Sequence, residues 1–456
     1  MKKPEISRRM FLAGSAAAIA AGCATTGKKG KAPAKISTRS PNEKLNIAGI
    51  GAGGKGIADL SGCGSENIVA LCDADLNQTR QMAAKHPNAK IYQDFRVMLE
   101  KQKDIDACTV STPDHFHAVA AMGAMLAGKH VYVQKPLTHT IWEARKLAET
   151  ARKMKVATQM GNQGHSGNGV RELCEMIWSG AIGQVKEVHC WTNRPIWPQG
   201  LDRPDIKDTP PKELNWDVWL GPAPDRPYVS KHPVTGKNCY HPFVWRGWWD
   251  FGCGALGDMA CHIMDPPNWA MKLGHPLSVE VVSQEGITKE QAPNKSIIKY
   301  EFPARGDMPA LTLYWHDGGN MPPRPANTPA DEVLGEGDNG SLFIGEKGAI
   351  SAHCYGEKPT LHPISLMKDY KAPAPTLERI PEEDHYKDWI QACKGGKPAC
   401  SNFDYSGPFT EIVLLGNLAL RTGKKLEWDG PNMKVTNCPE ANEFVSKQYR
   451  KGWEIV

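Results

Sequence analysis

The glycine loop Gly51-Ala52-Gly53-Gly54-Lys55-Gly56 constrains this chain more than any other feature. A short apolar run, Lys44–Ile50, leads into it, and a helical pattern opens at Ile57–Leu60. Strand, G-x-G-x-x-G, helix is the start of a doubly wound parallel sheet that binds a dinucleotide. Gly51 allows the tight turn. Gly53 and Gly54 let the backbone approach the pyrophosphate, and Gly56 lets the helix pack on the strand. The helix N-terminus then faces the phosphates. A second apolar run, Ile68–Cys72, ends at Asp73, about twenty residues on, where an acid accepts from the adenosine ribose hydroxyls and disfavours a 2′-phosphate. The expected cofactor is therefore NAD rather than NADP.

The alternation continues beyond the loop. Ile105–Ser111, His130–Val133 and Val156–Met160 read as strands; His115–Ala127 and Ile141–Met154 read as helices. Repeated β-α-β units place motifs at the strand C-ends along one crevice. Two motifs qualify. Thr112-Pro113-Asp114-His115-Phe116-His117 offers Thr112, Pro113 and His117, and the second is Gln134-Lys135-Pro136. Further on, Val279–Ser283, Ile297–Phe302 and Leu311–Trp315 predict a mostly antiparallel sheet, and His385–Cys393 and Pro408–Leu420 predict helices. The division that follows is a leader at 1–22, a linker at 23–43, a dinucleotide-binding domain at 44–165, a second α+β domain at 166–430 and an extension at 431–456.

The chain has 456 residues and a net charge of +5. Residues 1–44 hold ten Lys or Arg and two Glu, which leaves the remainder at −3. The basicity belongs to the leader, so nucleic acid is not an expected partner. Ser7-Arg8-Arg9-Met10-Phe11-Leu12 and the short Ala-rich stretch after it have the order of an export signal, and the Arg pair resembles the twin-arginine type. Ala20-Ala21-Gly22-Cys23 makes Cys23 a candidate lipidation site, the one route to a membrane. The expected compartment is periplasmic. The 13 Cys form no C-x-x-C pair, and Cys72, Cys108 and Cys190 lie in apolar runs as small hydrophobes. No zinc spacing and no nucleophile elbow occurs, so metal catalysis is not expected.

The glycine loop, Asp73, the T-P-x-x-x-H stretch and the Lys135-Pro136 step together resemble the Gfo/Idh/MocA oxidoreductases, across most of residues 44–430. The usual E-K-P stands here as Gln134-Lys135-Pro136. The resemblance extends to an Asp-x-x-x-His pair, Asp258 and His262, which share a helix face with Asp265 a turn further on. It implies hydride chemistry on an alcohol: His262 takes the hydroxyl proton, Asp258 orients that imidazole, and Lys135 hydrogen-bonds the developing alkoxide. It also implies a homo-oligomer, dimer or tetramer.

Seven of the 14 Trp crowd residues 191–249 among Gly, Pro, Asp and Arg, which suits a sugar ring. Trp191, Trp248, His165, Asp265 and Arg324 are the candidate substrate contacts. The Pro-rich loop through Asp338-Asn339-Gly340 is a candidate lid. Outside the cytoplasm no free NAD pool exists, so the cofactor is expected to stay tightly bound and to be reset in each cycle. Net oxidation of a sugar or glycoside hydroxyl is the leading expectation. Epimerisation, and glycosidic cleavage through transient oxidation and elimination, are the alternatives. An exported protein that binds sugar or dinucleotide without turnover is the alternative of another class.

Overall fold

A computed structural model describes residues 39–455, so Arg8, Arg9 and Cys23 lie outside the described residues. The first layer is a six-stranded sheet: β1 (Asn46–Ile50), β2 (Asn67–Cys72), β3 (Lys90–Tyr92), β4 (Ala107–Val110), β5 (His130–Gln134) and β6 (Thr158–Gly161). Every pair is parallel, in the order β3-β2-β1-β4-β5-β6. The central strands β1, β4 and β5 are buried almost throughout, as helices on both faces require of near-continuous apolar runs. The sequence missed the helices Leu76–Lys85 and Phe95–Lys101. Each is short, and is started by an Asp whose carboxylate accepts the N–H two residues on.

The second sheet has nine strands. These are β7 (Val185–Trp191), β8 (Ser278–Glu285), β9 (Lys295–Phe302), β10 (Leu311–His316), β11 (Gly340–Gly345), β12 (Gly348–Ala352), β13 (Thr360–His362), β14 (Leu426–Asp429) and β15 (Lys434–Val435). Their order is β13-β12-β11-β7-β10-β9-β8-β14-β15, and among the described residues only β7–β10 pairs in parallel. The expected fold class, a doubly wound domain followed by a mostly antiparallel sheet, is what forms.

The chain does not stay on its own side of the boundary. The helix His385–Cys393 returns to the first domain, where Trp389, Ile390 and Cys393 join Leu45, Ile47, Leu60 and Leu71 in one buried cluster. The helix Phe403–Thr422 packs on the helix Ile141–Met154, and its buried Glu411 takes two bonds from Arg145, at 2.6 and 3.0 Å. The last residues return as well. Trp453 packs on Phe95 and Phe116, and Lys447 reaches Glu143 at 2.9 Å. Between β7 and the helix Gly254–Ile263, residues 192–253 form an irregular excursion. It is joined to the end of β2 by Asn215 N–H to Ala74 O at 2.8 Å and by Leu76 N–H to Glu213 O at 3.1 Å.

Candidate active site

One cleft of about 470 Å³ runs along the C-terminal ends of the first sheet. The glycine loop, Asp73, Thr112, Pro113, Gln134 and Lys135 line it on one side; Trp219, His241, Phe243, Trp245, Arg246 and Asp258 line it on the other. The first group comes from strand ends, and the second from the excursion and the helix Gly254–Ile263. Among the described residues no cluster of His, Cys, Asp or Glu could hold a metal ion.

The loop is built for a dinucleotide. Gly51 sits at φ +84°, and a Cβ on Gly56 would stand 2.0 Å from Gly51 O, so this turn closes only with hydrogen at both positions. Asp73 accepts from Ala52 N–H and Asp75 N–H, each at 3.0 Å, and burial pushes its carboxyl up to about 6. Lys55 pairs with Asp59 and lines the open side of the loop. Asp59 is completely buried; it also accepts from Ser111 Oγ at 2.6 Å, Tyr386 OH at 2.8 Å and Gln134 Nε2 at 2.9 Å. The cleft, the glycine turn and the strand-end acid together fit NAD, whose residues here would be the loop, Asp73, Thr112, Pro113, Gln134 and Lys135. Pro136 and His117 act from behind. His117 is buried between Pro136 O at 2.8 Å and Thr112 O at 2.9 Å, and burial lowers its pKa to about 4, so it braces two cleft segments instead of touching a ligand.

Lys135 lies at the end of β5, three strand positions from Asp73 on β2, which is about 14 Å across a sheet. Its Nζ donates to Asp258 O at 2.6 Å and to Asp258 Oδ1 at 2.9 Å. Arg246 Nε approaches the same Oδ1 at 3.4 Å. Burial acts to raise Asp258, but these two cations outweigh it and hold the carboxyl at about 2. The expected Asp258–His262 hydrogen bond does not form. Both residues share the helix face, yet the carboxylate turns to Lys135 and Arg246, whose full charges attract it more strongly than a neutral imidazole. His262 is 7% exposed and does not line the cleft; its Nδ1 is buried with no hydrogen-bond partner among the described residues, and its ring meets Tyr355 edge-on at 4.8 Å. Burial, and then the Lys135 ammonium, push its pKa well below the usual range.

The expected substrate contacts do not gather here. Trp191 and Trp248 are 0% and 1% exposed, with their indole N–H groups on Gly337 O and Cys239 O. A ring enclosed by protein on both faces has none left for a sugar, so these are packing residues. His165 and Asp265 form a buried pair at 2.9 Å, with Tyr405 OH on the same carboxylate at 2.6 Å, and neither lines the cleft. Arg324 donates to Pro329 O and Glu332 O and staples its own loop. That Pro-rich loop is no lid. Its Gly337 and Asn339 hold Trp191 and Thr192 of the second sheet, and the cover over the cleft comes from the excursion instead.

Sequence reasoning also passed over two residues that line the cleft. Asp114 accepts Cys253 N–H at 3.0 Å, and burial raises its carboxyl to about 7 against the pull of Arg246 and Lys135. Arg246 lies in a run of Trp residues that drew attention to the rings rather than to the cation between them.

Comparison with known proteins agrees with this geometry. Residues 44–162 match the family model described as oxidoreductase family, NAD-binding Rossmann fold, and residues 172–354 match its C-terminal alpha/beta domain. A D-glucoside 3-dehydrogenase from Escherichia coli is 31% identical over 118 residues, 26% of this chain and 33% of that protein. A glycosyl hydrolase family 109 protein from Solibacter usitatus is 34% identical over 194 residues, 39% of this chain and 44% of that protein. The chain thus spans less than half the length of these relatives. In fold it is similar to a WlbA dehydrogenase from Bordetella pertussis solved with NADH and UDP-GlcNAcA, with a TM-score of 0.58, 16% identity and coverage of 85% of this chain and 99% of that one.

Proposed function

Because this chain belongs to the Gfo/Idh/MocA family of NAD-binding oxidoreductases, we propose that it acts on a hydroxyl of a sugar or glycoside. The observation that carries the reading is the Lys135–Asp258 pair on the wall of the cleft that begins at the glycine loop. A bound nicotinamide supplies the two-electron acceptor. Lys135 Nζ has three donor positions and spends two on Asp258, which leaves one for a substrate oxygen. A cation fixed there stabilises negative charge on that oxygen as its proton leaves. Asp258 holds the lysine in place and, being ionised, costs no reorganisation at the moment of reaction. His262 is kept neutral by burial and by the Lys135 ammonium, which also make it a weak base, and its Nδ1 is left open to receive a proton. Since it does not line the cleft, direct contact with the reacting oxygen is assigned to Lys135 and a second place in the proton path to His262.

The Arg8-Arg9 leader supports export, and the excursion that roofs the cleft supports a cofactor that stays bound and is reset in place. A second reading, glycosidic cleavage through transient oxidation, is supported by the likeness to the family 109 glycosyl hydrolase protein. Denaturing the purified protein and identifying the released nucleotide tests the first half of the proposal. Adding a panel of glycosides while following the reduced-nicotinamide absorbance tests the second. A protein that releases no NAD and shows no absorbance change with any glycoside would be a binding protein, and this reading would fall. Released free sugar without net reduction would favour the glycosidase.

A further inference from the structure

The reacting end of the cleft carries more positive charge than the proposed chemistry needs. Arg246 is held there rigidly. Its guanidinium carbon lies 4.4 Å from the ring centroids of both Phe243 and Trp245, two aromatic contacts that restrict its movement. Nη1 donates to Phe243 O at 2.9 Å and Nε approaches Asp258 at 3.4 Å, while Nη2 donates to no group among the described residues. Phe243 is itself unusual. It is 46% exposed on the cleft wall, and its backbone sits at φ 76° and ψ −49°, closed by a bond from Val244 N–H to Pro242 O at 3.0 Å. A non-glycine residue in that tight turn is strained, and such strain concentrates where a ligand is gripped. An exposed aromatic face suits the C–H side of a sugar ring.

The charges facing this corner are Lys135 and Arg246 against Asp258, with Asp114 beside them, its carboxyl pushed up to about 7. Two cations therefore face one ionised acid, Asp258, and a second, Asp114, whose burial favours the protonated form up to about neutral pH. Lys55 and Asp73 belong to the other end, where the dinucleotide is held. Three guanidinium N–H groups remain without a partner among the described residues, one on Nη1 and two on Nη2, and one from each nitrogen together make the planar pair that meets a carboxylate.

We infer that Phe243 and Arg246 form the sugar subsite and that it takes a ring bearing a carboxylate, a uronate glycoside. This rests on the sugar reading above and narrows it to a chemical class. The ring packs on Phe243, the carboxylate meets the free edge of Arg246, and the hydroxyl to be oxidised faces Lys135.

The test uses the full-length NAD-loaded protein with four probes: methyl α- and β-glucuronide and the matching methyl glucosides, which differ only in carboxylate against CH2OH. Calorimetry of the NADH-loaded form reads binding whether or not turnover follows. The wild type should prefer a glucuronide to its glucoside by tenfold or more. Arg246→Met should collapse that ratio towards one, and Arg246→Lys should restore part of it, because the charge returns without the fork. The ratio is the readout, so a general loss of binding in the variant does not mimic the result. A glucoside bound as tightly as the glucuronide, or a ratio unchanged in Arg246→Met, overturns the inference. Arg246-dependent glucuronide binding without nicotinamide reduction leaves the subsite standing and sinks the oxidoreductase reading. Reduction with equal use of both sugars does the reverse.

Discussion

Gln134 donates from Nε2 to Asp59 Oδ1 at 2.9 Å, from the end of β5 to the helix behind the glycine loop. The carboxylate it meets is completely buried and shared with Ser111, Tyr386 and Lys55. The relationship accounts for the amide at a position where the wider family carries Glu. A second carboxylate at 134 would face Asp59 with no water to screen it. Gln134→Glu should therefore cost about 3 kcal/mol of stability at pH 8, read from urea unfolding. Asp59→Asn in the same chain should return part of it. A Gln134→Glu protein as stable as the wild type would show that the pair is incidental.

Gly56→Ala tests the cradle. The added Cβ would meet a backbone oxygen at 2.0 Å, and neither the turn nor the helix start can yield cheaply. About 2 kcal/mol of stability should be lost. NAD affinity should fall by about two orders of magnitude or more, as the pyrophosphate loses its close approach to the backbone. Fluorescence titration with the nucleotide measures the second effect apart from the first.

Lys135→Met and Asp258→Asn should differ in degree. The first removes the charge beside the reacting oxygen and should lower kcat/KM by about a thousandfold. The second leaves the ammonium but frees it to move, and a loss of about a hundredfold is expected. Single-turnover reduction of the bound nicotinamide separates these effects from product release. Equal losses would mean that the two side chains act as one unit.

Asp114 gives a pH dependence of stability with a definite sign. Its folded-state pKa is raised from 3.8 to about 7, so its contribution is present below pH 4 and disappears as the pH rises through 7. Asp114→Asn keeps an acceptor for Cys253 N–H and removes the titration. Between pH 4 and 8 the wild type should lose on the order of 2–4 kcal/mol relative to the variant. Urea unfolding at both ends of that range checks it, and parallel curves would refute it.

Much of this molecule was legible because its signals are local. The turn at Gly51 and Gly56, the acid after β2 and the four-residue step from Asp258 to His262 each depend on neighbours in sequence, and each element was found within a few residues of its place. What Asp258 binds was not legible. Spacing put it on the same face as His262, but two cations from residues 135 and 246 win the carboxylate. Trp191 and Trp248 failed for a different reason. Composition counts rings but cannot tell a ring sealed in a core from one at a surface, and Phe243, a single Phe among seven Trp, proved to be the exposed one. Arg246 and Asp114 gain their meaning only from elements that meet in space.

The return of His385–Cys393 has a practical consequence for anyone recombining these proteins. Trp389 and Ile390 complete the hydrophobic interior that Leu45, Ile47 and Leu60 begin, so the nucleotide-binding half is not a detachable cassette. A fragment cut at residue 165 would present that interior to water and aggregate. Chimeras between relatives will have to exchange two separate stretches at once, and a crossover placed in the obvious gap between the halves will pair a sheet with a foreign plug.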